Sequence, residues 1–130
     1  VIKYLLLVGI FVSGCSISDD GEGISYGYIR VSGFIVREVK HTGEETRISV
    51  KYTLTNSCQE FIQFQTLKNE DNTTEIAILG SAKHSNDCVS ISEEQSREFT
   101  FKPIHSGEYT FKFWSKPGEF KTLTLNITDV

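Results

Sequence analysis

Apolar and polar residues alternate with a period of two through most of the chain from Gly27 onward, and no 11-residue window carries a helical period. Residues 47–55 show it most clearly. Ile48, Val50, Tyr52 and Leu54 fall on one face, and Arg47, Ser49, Lys51, Thr53 and Thr55 on the other, as expected of a strand with one buried and one wet side. The same alternation sets Phe99 and Phe101 against Glu98, Thr100 and Lys102. It sets Tyr109, Phe111 and Phe113 against Glu108, Thr110 and Lys112, and Leu123, Leu125 and Ile127 against Thr122, Thr124 and Asn126. Less regular strands are predicted over 28–39, 61–67 and 74–79, which makes seven in all.

The intervening segments have turn chemistry: His41-Thr42-Gly43-Glu44-Glu45, Asn69-Glu70-Asp71-Asn72, Pro103-Ile104-His105-Ser106-Gly107 and Ser115-Lys116-Pro117-Gly118. Gly33, inside the first strand, predicts a bulge or a change of sheet. Seven short strands with a turn signal about every dozen residues predict an all-β fold, a seven-stranded immunoglobulin-like β-sandwich over 27–130. Gly107-Glu108-Tyr109-Thr110-Phe111 resembles the start of strand F in immunoglobulin-like domains. That resemblance implies a tyrosine corner, with the Tyr109 hydroxyl bonded to nearby backbone and its ring in the core. Phe111 stands where antibody domains carry their second cysteine, so their inter-sheet disulfide is not expected.

The pattern changes before Gly27. Lys3 precedes the apolar run Tyr4-Leu5-Leu6-Leu7-Val8-Gly9-Ile10-Phe11-Val12, and the small residues Ser13 and Gly14 precede Cys15. These are the parts of a secretory signal. Residues 2–14 as a helix would cover roughly 20 Å, short of the roughly 30 Å of bilayer hydrocarbon. Val12-Ser13-Gly14-Cys15 resembles the lipobox of bacterial lipoproteins, which implies lipidation of Cys15 and removal of residues 1–14. The alternative is an ordinary signal peptide with an incidental cysteine. Two acyl chains suffice for stable anchoring where one is marginal. Residues 15–26, with Ser16-Ile17-Ser18-Asp19-Asp20-Gly21-Glu22-Gly23 after the cysteine, read as a flexible tether. By the same resemblance, Ser16 after the cysteine implies the outer membrane of a bacterial envelope, on its periplasmic or its surface-exposed face.

Lipidation accounts for the odd count of three cysteines, leaving Cys58 and Cys88 to pair in an oxidising compartment. A disulfide there would contribute roughly 3–4 kcal/mol on the chain-entropy model. The competing arrangement is a zinc site with His84 and His105, for which C-x-x-C or H-x-x-x-H spacing is lacking. Net charge is −4, and loss of Lys3 with the signal makes it one unit more negative. An acidic chain without a basic cluster argues against nucleic acid and against electrostatic attraction to anionic lipid. The acyl anchor alone is then the expected membrane contact.

No catalytic constellation is present: there is no Gly-x-Ser-x-Gly elbow and no free thiol is expected once two cysteines pair. Phe99-Thr100-Phe101, Gly107-Glu108-Tyr109-Thr110-Phe111 and Lys116-Pro117-Gly118 resemble the copper-loop region of cupredoxins. Blue copper, however, takes Cys, two His and commonly Met. Here Phe113-Trp114 and Glu119 occupy the corresponding places and the chain has no methionine. No cofactor is therefore expected. A fainter resemblance, to inhibitors of papain-like proteases, lacks their Asn-Pro-Thr-Thr-Gly loop, where Thr55-Asn56-Ser57-Cys58-Gln59 stands instead.

If the strands run alternately up and down, one end of the sandwich gathers Cys58, Cys88, Trp114, Lys116, Pro117 and Glu119 together with the start of the first strand. The other end gathers His41, Glu44, Glu45, Glu70, Asp71 and His105, among which His41, Asp71 and His105 are candidate metal ligands. Alternation turns Trp114 away from Phe111 and Phe113, toward either a partner or a packing site beside Phe120 or the disulfide. Two functions follow. The first is a non-catalytic, membrane-anchored module presenting disulfide-braced loops to a protein or glycan. The alternative is a cupredoxin-like, metal-handling periplasmic protein.

Overall fold

The computed structural model describes residues 23–130. The predicted signal segment, Cys15 and the tether as far as residue 22 lie outside the described residues. Eight strands are present: β1 (Ile24–Ile29), β2 (Val31–Glu38), β3 (Thr46–Asn56), β4 (Gln59–Glu70), β5 (Thr73–Lys83), β6 (Ser90–Phe101), β7 (Gly107–Lys116) and β8 (Glu119–Ile127). They form a five-stranded sheet and a three-stranded sheet, the latter in the order β2-β3-β6. The fold is an all-β sandwich.

In the larger sheet β4 covers one edge of β5 along its length, while β1 and β7 share the other edge. β1 pairs antiparallel with Ile78–Lys83, β7 pairs parallel with Thr73–Ile76, and β8 lies outside β7. β6 runs in the opposite sheet, so the chain returns to its starting end before β7 begins, and β7 runs the same way as β5. This parallel pair departs from the wholly antiparallel sheets of the immunoglobulin arrangement.

The alternating faces meet between the sheets. Ile48, Val50, Tyr52 and Leu54 of β3 are buried against Ile76 and Ile78 of β5, Phe111 and Phe113 of β7, and Leu125 and Ile127 of β8. Burying each such side chain is worth about 1.5–3 kcal/mol. Phe99 of β6 bridges the layers edge-on, 5.2 Å from Phe64 of β4 and 5.8 Å from both Phe111 and Phe113 between ring centroids. Offset and edge-on ring pairs add about 0.5–1.5 kcal/mol beyond area alone.

The expected first strand proves to be two. The chain leaves the larger sheet at Arg30 and joins the smaller one at Val31, with Ile29 and Val31 both buried beside the exposed Arg30. Gly33 sits at a bulge, where the register with β3 shifts between Val31 and Gly33. β1 begins at Ile24, inside the stretch read as tether, because Ile24–Ile29 ladders along β5. Turns follow their residues. Asp71 and Asn72, with φ of 51° and 61°, form the two-residue link from β4 to β5; positive φ at both positions selects Asn, Asp or Gly. Gly118, at φ 78° behind Pro117, closes the link from β7 to β8.

Candidate functional site

β6 breaks the alternation that builds the core. Its Ile91, Phe99 and Phe101 face inward, and so do Glu93, Gln95 and Arg97, because these pair in register with the buried Leu54, Tyr52 and Val50. The inward polar positions are tolerated because β6 is the edge of its sheet, opposite β4 at the edge of the other. The two layers part there. A cleft of about 450 Å³ opens, lined by Gln59, Glu60 and Phe61 from β4 and by Ile91, Glu93, Gln95 and Arg97 from β6.

The lining side chains hold one another. Tyr52 Oη donates to Gln95 Oε1 over 3.2 Å, and Gln95 Nε2 donates to Glu93 Oε2. The Arg97 guanidinium lies 4.5 Å from the centroid of the Phe61 ring, which in turn lies 5.7 Å from Tyr52. A cation over a ring contributes about 0.5–1 kcal/mol at exposed sites. The cleft therefore offers a carboxylate at Glu93, a planar cation at Arg97 and an aromatic wall at Phe61.

One end of the cleft is covalently closed. Cys58, just ahead of β4, is disulfide-bonded to Cys88, just ahead of β6, with Cα atoms 5.5 Å apart. Ser57 N donates to Val89 O and Val89 N donates to Ser57 Oγ, both over 2.9 Å. The Asn56 side chain accepts from Cys58 N at 2.8 Å, shaping the passage between the sheets. The disulfide thus fixes the spacing of the strands that form the two walls. The zinc arrangement weighed for these cysteines is replaced by their direct bond.

Trp114 and its neighbours lie at the same end, on the outer face of the larger sheet. Trp114 is half-buried, edge-on to Tyr28 at 5.4 Å between centroids and in register with Phe120. Lys116 and Glu119 form an ion pair of 3.4 Å across the Pro117-Gly118 turn. These residues do not line the cleft, so the structure separates the sequence-chosen contact residues from Glu93, Gln95 and Arg97, which were not singled out. The signal that could have found these three is the polar interruption between Ile91 and Phe99 in an otherwise alternating strand.

The metal candidates occupy the opposite end but do not converge. His41 Nδ1 lies 3.4 Å from Thr128 Oγ1, Asp71 is a central residue of the β4–β5 turn, and the His105 carbonyl accepts from Tyr109 Oη at 2.7 Å. The last contact is the tyrosine corner expected of Gly107-Glu108-Tyr109, whose ring packs 4.8 Å from Phe101. Among the described residues no three His, Cys, Asp or Glu side chains form a group that could hold a metal ion.

Compared with known protein families, residues 48–127 match the model described as the ORF11 beta-sandwich domain, a span from β3 to the end of β8 that includes both cleft walls and the disulfide. No curated protein and no solved structure matches the chain.

Proposed function

The chain belongs to the ORF11 beta-sandwich domain family, and we propose that it is a non-catalytic binding module, anchored to a bacterial envelope membrane through Cys15, that takes a protein or glycan partner in the cleft between β4 and β6. The observation carrying this reading is the inward turn of Glu93, Gln95 and Arg97 where strand alternation otherwise supplies core residues. Inward charges on an edge strand also discourage pairing with another strand. Recognition is therefore by side chains rather than by added strand hydrogen bonds.

Lipidation and export rest on Val12-Ser13-Gly14-Cys15 and on the apolar run before it. The bond between Cys58 and Cys88 supports an oxidising compartment, since such bonds are rare where thiols are kept reduced. Within the sandwich class we read the domain as immunoglobulin-like at its tyrosine corner, with a strand order of its own.

A photo-crosslinking residue placed at Gln95, and separately at Glu45 on the opposite end, tests the cleft in intact cells. Adducts from position 95 that disappear with Arg97→Ala, and none from position 45, are the expected result. Equal adducts from both positions, or none from 95, would overturn it. Fatty-acid labelling that is lost in Cys15→Ala tests the anchor.

A further inference from the structure

A second surface at the anchored end is unused by the cleft. Ile24, Tyr26 and Tyr28 alternate to the outer face of β1, opposite the buried Ile29, and are 55%, 66% and 39% exposed. Leu79 stands in register with Tyr28, and Trp114 and Phe120 extend the patch across β7 and β8. We propose that this face seats on the headgroup–acyl boundary of the anchoring bilayer, an inference that rests on lipidation of Cys15.

Three observations select a bilayer as the occupant. Tyr and Trp combine an apolar body with a polar tip, the combination enriched at membrane–water interfaces. The patch is also where the chain enters the fold: eight residues separate Cys15 from Ile24, and the nine steps between them span roughly 30 Å at full extension. A surface held that close to the membrane meets it at high effective concentration, so weak insertion of a few rings is enough to orient the domain. The third is charge. Lys116 is paired with Glu119, Lys112, on the same face two residues before Trp114, stands in register with Glu75, and Lys83, beside Ile24, faces no basic neighbour across the ladder, so the face lacks the cationic cluster that anionic lipid would reward. The occupant is therefore the interface of zwitterionic lipid, contacted through rings rather than charges. The orientation leaves the β4–β6 cleft along the flank of the sandwich.

The chain has one tryptophan, Trp114, so its emission reports on this patch alone. The full chain is expressed in a bacterial host, and the lipidated protein is purified and reconstituted into phosphatidylcholine vesicles, with or without bromine on the acyl chains. The expected result is loss of Trp114 emission in brominated vesicles, unchanged at high salt. The double variant Ile24→Ser/Tyr26→Ser should keep its lipid and its sedimentation with vesicles but recover the emission. Lipidated protein that sediments with vesicles yet shows equal emission with and without bromine would overturn the proposal and leave the face to a soluble partner. Protein that carries no lipid and stays in solution would instead remove the anchor on which the inference stands.

Discussion

Ser115 of β7 donates its hydroxyl to the carbonyl of Val31, 3.1 Å away in the opposite sheet and 84 residues earlier in the chain. The bond forms where β1 has just left the edge of β5 and β7 is leaving it from the other direction, so it closes the seam between the two. Ser115 is buried, and its removal strips a hydrogen-bond donor from a carbonyl at the crossover. Ser115→Ala should cost about 1–3 kcal/mol, with Tm falling roughly 4–8 °C per kcal/mol for a domain of this size. Thermal melts beside Ser81→Ala, a half-buried outer-face control expected to change little, check this.

The disulfide between Cys58 and Cys88 should matter to both stability and binding. Replacing both cysteines with serine is expected to lower stability by about 2–4 kcal/mol, measured by urea unfolding of the oxidised and variant proteins. Adducts from a crosslinker at Gln95 should fall under conditions where the variant is still folded, because the cleft walls are no longer held at their starts.

Gly80 is a packing glycine rather than a turn glycine. A Cβ placed there would lie 2.7 Å from Ile29 Cγ1 and 2.9 Å from the Glu60 carbonyl. Gly80→Ala should therefore destabilise by about 1–3 kcal/mol, as overpacking does. The rotamer of Ile29 and the β1 ladder should both shift, read as faster amide exchange in β1 than in β3.

Tyr109→Phe keeps the ring against Phe101 and deletes only the bond to the His105 carbonyl. The expected loss is about 0.5–1.5 kcal/mol. Arg97→Ala makes a useful contrast, since its exposed contact with Phe61 is worth about 0.5–1 kcal/mol to folding while its proposed part in binding is larger. Crosslinking should fall with Arg97→Ala and persist with Tyr109→Phe at matched stability.

The parts of the fold legible in the sequence are those where burial is one-sided. β3 reads directly because Ile48, Val50, Tyr52 and Leu54 all face the core while Arg47, Lys51, Thr53 and Thr55 on the other face keep contact with solvent; Ser49 alone of that face is buried. β6 was legible only at Phe99 and Phe101: its preceding inward positions face an open cleft instead of a packed layer, so hydrophobic alternation vanishes over Glu93, Gln95 and Arg97. The break at Arg30 leaves alternation undisturbed, since Ile29 and Val31 are both buried, each in its own sheet, and a change of sheet has no local cost that composition would record. The parallel pairing of β5 with β7 is a long-range consequence of where β6 lies. Trp114 was visible as an unusual residue, but its partner Tyr28 belongs to a strand 86 positions earlier, a relation no local pattern carries.

The position of β1 also bears on how the domain carries mechanical load. A chain held at Cys15 and gripped by a partner in the cleft is pulled through β1, lengthwise rather than sideways. The six residues Ile24–Ile29 lie antiparallel to Lys83–Ile78 along that line, so tension shears the ladder and its pairs must yield together. A strand peeled from its end would surrender them one at a time. An anchor at Cys15, as proposed, would thus load β1 in shear rather than in peeling.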